Sequence, residues 1–336
     1  MKTEQTENRI DLIIPWVDGS DPAWLQEKQR VLKEETDGDD RLIRFRDWDN
    51  LQYLFRGIEK FLPWIHTVHF VTWGHLPKWL NTNCEKLHIV KHTDYIPAEY
   101  LPTYSSHTIE LNFHRIGDLA EHFIYANDDM FFLREMQPED FFRDGLPVDK
   151  AVQNVLQFWN RSGIDHIVAN DLLCINENFR KKECISRHRD KWFHRSYGKG
   201  VLQNFYLGRL EHFTGFVDDH IPFAYRKSTW EKVWKAEGDV LDQTCRNSLR
   251  TPMDVNQWLM RYWQLAEGSF APDGGDRGRL YVIGRDDEKI RSTLTDRIHP
   301  MVCLSDDTDS LDFEKEKAFI NGLLQTFLPV KSMFEI

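Results

Sequence analysis

The stretch Phe123-Ile124-Tyr125-Ala126-Asn127-Asp128-Asp129-Met130-Phe131-Phe132 decides how this chain is read. An apolar and aromatic run that halts at Asn-Asp-Asp reads as a buried strand delivering acidic side chains to its C-terminal end. In open α/β sheets that end is where ligands bind. Two adjacent carboxylates repel unless a positive charge neutralises them, and a hard divalent cation with oxygen ligands, Mg²⁺ or Mn²⁺, serves that purpose. A helix cap or a turn uses the same residue types, so the surrounding sequence has to choose.

On the N-terminal side, residues 10 to 17 (IDLIIPWV) form a continuous apolar run that reads as a central strand and enters the turn Asp18-Gly19-Ser20-Asp21-Pro22. The loop after the first strand is a favoured nucleotide position, although the G-x-G-x-x-G spacing is absent and ordinary turn chemistry also accounts for it. From Asp47 to Phe61, Leu51, Leu54, Phe55, Ile58 and Phe61 recur at three- and four-residue steps, predicting an amphipathic helix. Runs rich in β-branched residues at 67–72 and 87–90 predict strands, and a helix from Ser105 or Ser106 to Leu119 feeds the strand at 122–126. Helix and strand alternate, so the sheet should be mostly parallel.

After Pro147 the pattern changes to helical segments, with helices expected at 222–236, 252–266 and 311–327. Strands are expected at 280–283 and 301–304, the latter stopping on Ser305-Asp306-Asp307 as a second acidic strand end. The expected architecture is α/β: a mostly parallel, Rossmann-like sheet flanked by helices, with a helical insertion or second lobe. At 336 residues the chain exceeds the usual single-core size. The expected parts are an α/β half over 1–147, a helical insertion over 148–215 and a completing segment over 216–336.

Acidic residues outnumber basic ones by 54 to 43, and the net charge of −11 argues against a nucleic-acid surface. An anionic substrate must then be held by a local basic site or a metal. The start of the chain is polar, without a signal-peptide core, and no run of about twenty apolar residues follows, so a cytoplasmic protein is expected. Five cysteines with no C-x-x-C pair indicate neither a disulfide framework nor a zinc ribbon. Segment 180–199 carries eight basic residues against two acidic ones, with Trp192, Phe193 and Tyr197 interleaved. It reads either as a solvated charged face or as a contact with an anionic membrane surface, at the inner face of the plasma membrane.

Asp218-Asp219-His220-Ile221-Pro222 adds a histidine in an acidic neighbourhood, which suits a general acid or base, although a lone histidine is more often structural. At this point the chain resembles the Stealth proteins, which include bacterial capsular polysaccharide phosphotransferases and the catalytic domain of animal N-acetylglucosamine-1-phosphotransferase. The resemblance rests on IDLIIPWVDGSDPAW at 10–24, on the run RFRDWDNLQYLFRGIEKFLPWIHTVHFVTWGHLPKWL at 44–80, on LPTYSSHTIELNFHRI at 101–116 and on FIYANDDMFF at 123–132. Looser matches follow at 218–234, 250–260 and 302–309.

The resemblance implies transfer of a hexose-1-phosphate from a nucleotide-diphosphate sugar to a hydroxyl of an acceptor glycan, itself free or lipid-linked, in polysaccharide synthesis. It implies Asp129, His220 and Arg250 as catalytic residues and Asp128 with Asp129 as ligands of Mg²⁺ or Mn²⁺. Trp16, Asp18, Gly19, Asp21, Arg44, Asp47 and Asn127 would line the nucleotide side, with Arg56 a further polar candidate for which a structural ion pair within its helix accounts equally well. Where the animal enzyme has Asn in the first block this chain has Asp18, and its third block differs around Pro222. The competing reading is a metal-dependent nucleotide-sugar glycosyltransferase, which releases nucleoside diphosphate instead of monophosphate.

Overall fold

Strand β1 (Ile10–Trp16) is the axis of the molecule, and its Leu12, Ile13 and Ile14 are wholly buried because both faces of the sheet are covered. The computed structural model describes residues 9–32, 45–158, 163–306 and 312–336. In chain order the further strands are β2 (Val68–Thr72), β3 (Leu87–Lys91), β4 (His122–Tyr125), β5 (Met130–Phe132), β6 (Phe142–Arg143), β7 (Leu146–Asp149), β8 (Phe223–Arg226), β9 (Ala271–Pro272), β10 (Gly278–Val282) and β11 (Met301–Ser305).

The main sheet runs β3-β2-β1-β4-β8, with the first four strands parallel and β8 antiparallel at the edge against β4. The mostly parallel α/β architecture is therefore as expected. The chain lays β2 and β3 on one side of β1 and returns to place β4 on the other. The order reverses between β1 and β4, which makes the gap beyond their C-terminal ends the switch point of the sheet. At the opposite end, Asp11 of β1 is fully buried and accepts from Arg9, His69 Nε2 (3.0 Å) and the Ala120 amide (2.9 Å). Those partners hold its carboxyl below the usual range against the cost of burial.

Several elements differ from the periodicity reading, each for a local reason. The helix expected over 47–61 runs Leu51–Phe61, because Asp47 Oδ1 accepts the Asp49 amide (2.9 Å) and holds a turn ahead of it. The helix expected to reach Leu119 ends at Leu111, where Asn112 turns its amide back onto the Thr108 carbonyl (2.8 Å), and a 3-10 turn Phe113–Arg115 follows. The segment read as one helix over 222–236 is strand β8 followed by the helix Lys227–Ala236. Phe223, Ala224 and Tyr225 are all buried, so this strand shows no alternation by which to be recognised. The helix expected over 252–266 begins at Trp258.

The apolar run also does not end at the acids. Met130–Phe132 continues as β5 in a second sheet, ordered β10-β11-β5, so Asn127–Asp129 form the turn joining two sheets. A third small sheet, β6-β7-β9, lies beside them. The insertion is helical, with helices Ile164–Asn178, Lys181–Arg187, Arg189–Trp192 and Gly200–Leu207. One buried apolar cluster draws on all three expected parts, including Ile13, Trp192 and Met301.

The basic segment 180–199 is only partly a surface. Lys181 is buried, with Nζ donating to the Leu207 (2.6 Å) and His212 (2.9 Å) carbonyls, and burial lowers its pKa to about 8. Lys191 donates to the Gly268 (2.7 Å) and Phe270 (2.8 Å) carbonyls. Neither ammonium is available to a membrane. Among the described residues no helix is long and apolar enough to cross a bilayer.

Candidate active site

Both strands flanking the switch point end in acids: β1 leads into Asp18 and β4 into Asn127, Asp128 and Asp129. Asp18 Oδ1 closes its own turn by accepting from the amide (2.8 Å) and hydroxyl (2.6 Å) of Ser20, while its amide donates to His75 Nε2 (2.7 Å). Gly19 is required for contact: a Cβ there would stand 2.0 Å from the Phe45 carbonyl oxygen. That close approach brings the 45–47 segment against the first turn. Asp47 consequently sits near enough to Asp18 for mutual repulsion, and burial together with its acidic neighbours raises its pKa.

Asp128 is pushed up to about 7, first by desolvation and then by Asp129 and Asp47. Asp129 is raised as well, by desolvation, with His220 acting in the opposite direction. Antiparallel pairing sets Cys303 of β11 opposite Met130, and the Leu304 amide donates to the Asp129 carbonyl (2.9 Å). The Cys303 thiol in turn donates to Asp129 Oδ2 at 3.3 Å. Asp129 Oδ1 is shielded from solvent and has no hydrogen-bond partner.

His220 completes this centre: one donor atom each from Asp129, His220 and Cys303 lie within 4.8 Å of one another. His220 has φ +47°, a left-handed conformation costly for a residue with a Cβ. Its loop is braced by Arg261, which is 1% exposed and grips Asp149 through Nε and Nη2 (2.8 Å each). Arg261 also binds Asp218 through Nη1 and the Val217 carbonyl (3.2 Å), while the Tyr262 hydroxyl donates to Asp218 Oδ2 (2.6 Å). Asp219 pairs with Lys150, so both acids preceding His220 are committed to holding the loop.

Two raised carboxyls, with Asp47 beside them and a shielded Asp129 oxygen lacking a partner, are a charge conflict that a cation placed between them would relieve. The donor set therefore fits a divalent ion. Asp128 and Asp129 offer hard oxygens, while the Cys303 thiol, protonated and donating to Asp129, orients that carboxylate rather than ligating.

Arg250 stands on a second arm. Its Nη2 donates to Ser106 Oγ (2.7 Å), and its charge acts on Tyr125. The Tyr125 hydroxyl donates to Glu110 Oε1 (2.9 Å) and also contacts the Asn127 side chain, linking the arginine arm to the acidic turn. Asp254, fully buried, ties the Arg250 loop down by accepting from His107 Nδ1 (2.9 Å), the Thr251 amide (2.9 Å) and Asn247 Nδ2 (2.8 Å).

The remaining expected residues divide by their contacts. Asp21 is the N-cap of the helix Pro22–Leu32, its Oδ1 accepting from the Ala23 (3.0 Å) and Trp24 (2.9 Å) amides. Trp16 belongs to the core, with its ring stacked on Phe70 at 5.6 Å. Arg44 and Asp307 lie outside the described residues. Asp306 meets Arg46 at 3.1 Å, so the second acidic strand end lies beside the 45–47 segment. Arg56 is structural, pairing with Glu335 (2.8 Å) and the Leu328 carbonyl (2.7 Å) to pin the C-terminus. Sequence reasoning missed Cys303, Tyr125 and Arg261. The adjacency of Cys303 to the Asp306-Asp307 strand end was the available signal for the first.

A mostly parallel α/β sheet with an acid-lined switch point, a histidine and an arginine arm is a layout suited to a group-transfer enzyme that handles phosphate. Comparison with known proteins makes this specific. Residues 8–36 match Stealth conserved region 1 and residues 44–148 match conserved region 2. The chain is 39% identical to the capsular polysaccharide phosphotransferase WcwK of Streptococcus pneumoniae, over 98% of this chain and 99% of that protein. It is 38% identical to the exopolysaccharide phosphotransferase cps2G of Lactiplantibacillus plantarum, covering 97% and 96% of the two chains. The receptor polysaccharide phosphotransferase WefC of Streptococcus gordonii is 34% identical over 98% and 99%. The chain belongs to the Stealth family of phosphotransferases and is an enzyme of that class.

Proposed function

We propose that this enzyme transfers a hexose-1-phosphate from a nucleotide-diphosphate sugar to a hydroxyl of an acceptor glycan in capsular or cell-surface polysaccharide synthesis. The observation that carries this reading is the convergence of Asp129, His220 and Cys303, with Asp128 adjoining Asp129 and one Asp129 oxygen left without a partner. The names of the relatives support the polysaccharide setting.

In this reading Asp128 and Asp129 would hold Mg²⁺ or Mn²⁺, which would supply charge neutralisation for the donor diphosphate and its leaving group. Arg250 grips a phosphate oxygen through its planar fork and is kept in register by Ser106 and the Asp254-organised loop. His220 accepts the proton of the acceptor hydroxyl, and its oxygen attacks the phosphorus bearing the hexose. The new bond is phosphorus to acceptor oxygen. The bond that breaks joins that phosphorus to the bridging oxygen, which leaves with the nucleoside monophosphate. The anomeric C–O bond stays intact.

Position of cleavage is the test. Donor carrying ¹⁸O at the anomeric bridge should place the label in the product linkage, with a diester ³¹P resonance coupled to both sugars and nucleoside monophosphate released. Release of nucleoside diphosphate and a phosphorus-free product would replace this reading with the glycosyltransferase. His220→Ala should slow transfer by about 10²- to 10⁴-fold with little change in donor binding, the range for losing a general base.

A further inference from the structure

The helix Gly200–Leu207 is turned inside out. Its buried anchor is polar: between the half-buried Val201 and Leu207, Asn204 is fully buried and donates to the Ala151 and Trp192 carbonyls (2.6 Å each) while accepting the Gln153 amide (2.7 Å). Gln203 adds a bond to the Gln153 carbonyl (2.8 Å). Its outer face is apolar, with Leu202 62%, Phe205 50% and Tyr206 64% exposed, followed by Leu210 at 45%. Residues 202, 205, 206 and 209 follow helical spacing and form one stripe. The Arg209 guanidinium lies 4.7 Å from the Phe205 ring centre and 5.8 Å from that of Tyr206.

Aqueous folding would place these faces the other way round, so the helix is built for contact with something apolar. From 182 to 211 the exposed charges are six basic (Lys182, Arg187, Arg189, Arg195, Lys199, Arg209) against three acidic (Glu183, Asp190, Glu211), on a chain of net charge −11. The helix Lys181–Arg187 is joined to this surface through Lys181, which bonds the Leu207 and His212 carbonyls. The stripe offers on the order of 300 Å² of apolar surface, well short of the ~800 Å² per partner that a stable protein interface buries. Leu, Phe, Tyr and Arg on one face, within a stretch of chain carrying a basic excess, are the composition that settles at the headgroup level of a bilayer.

We propose that the outer face of Gly200–Leu207, with Leu210, docks this enzyme on an anionic lipid surface. Segment 151–156, to which the helix is anchored, is hydrogen-bonded to 214–217, which runs straight into Asp218–His220. The docking helix is thus tied through two paired segments to the loop that carries His220; the docking itself does not rest on the proposed reaction.

The test is co-sedimentation of the full chain, without substrates, on phosphatidylcholine vesicles with and without phosphatidylglycerol. Binding should require the anionic lipid, weaken as salt rises and fall at least about tenfold in Phe205→Ser/Tyr206→Ser. The variant should keep the wild-type unfolding temperature and its turnover of a water-soluble acceptor. Phe205→Trp should shift its emission to the blue on adding anionic vesicles. Absence of wild-type binding, or equal binding by the serine variant, overturns the proposal. Self-association lost in the same variant would also overturn it and assign the stripe to a second copy of the chain.

Discussion

The Cys303 thiol donates to Asp129 Oδ2 at 3.3 Å across the β5–β11 junction, leaving Oδ1 of the same carboxylate as the buried oxygen without a partner. The bond commits one oxygen of the carboxylate and leaves the other open. Cys303→Ser keeps a donor at that position and should keep most activity, whereas Cys303→Val should lower kcat by roughly tenfold, the worth of one hydrogen bond to a charged group. Steady-state kinetics should show the loss in kcat, with the donor KM unchanged. Equal activity of the serine and valine variants would remove the positioning role.

Neutralisation of Asp128 and Asp129 is the second expectation. Both carboxyls are raised by burial in the metal-free protein, and for Asp128 the neighbouring acids add to it. Replacing one should relieve that conflict, so metal-free Asp128→Asn should unfold at a higher temperature than wild type above neutral pH. Mg²⁺ or Mn²⁺ should raise the wild-type midpoint by binding the native state and do less for the variant. Activity should vanish in a chelator. Full activity there, or no thermal response to either ion, would sink the metal role.

Bracing of the histidine loop gives a third. Arg261→Met leaves the buried Asp149 and the half-buried Asp218 without their cation and should cost about 3–5 kcal/mol of stability, measured by denaturant unfolding. Tyr262→Phe is the milder probe. It removes only the 2.6 Å bond to Asp218, worth about 1 kcal/mol, and should lower kcat more than it raises KM because it loosens the loop carrying His220. A stability loss with unchanged kcat would mean that the brace does not reach His220.

Acid sensitivity follows from two buried imidazoles. Burial lowers His92 to about 4 and His114 to about 3, and Nδ1 of each has no hydrogen-bond partner. Both rings are neutral when folded, while the unfolded chain protonates them below about pH 6.5. The unfolded state then binds more protons, so stability is complete above that pH and falls as pH drops toward 4. Thermal melts over this range should show a shallower decline in His92→Gln, by roughly one proton in the linkage slope. An unchanged slope would locate the acid sensitivity elsewhere.

Much of the fold was legible because central parallel strands are short continuous apolar runs. Ile10–Trp16 and His122–Tyr125 were visible as such, and the acids after them marked the ligand end of the sheet. Strand β8 was not legible, because an edge strand buried on both faces carries no period to separate it from the helix it precedes. Of the candidate site, the sequence named Asp128, Asp129, His220 and Arg250 but had no means of saying that Trp16 packs in the core or that Asp21 is spent on a helix cap.

By itself the sequence determined the class: alternating elements set an α/β sheet, and four motif blocks tied the chain to its family. Only the tertiary structure decided the company each acid keeps. Gly19 admits the Phe45 carbonyl and so brings Asp47 toward Asp18, and antiparallel pairing carries Cys303 to Asp129 across 174 positions of chain. The inverted helix at 200–207 is likewise invisible to composition, since an apolar stripe reads the same whether it faces the core or water. Pairing register and packing depend on contacts distant in sequence, and those contacts separate Asp21, whose oxygen caps a helix, from Asp129, whose Oδ1 is shielded and without a partner.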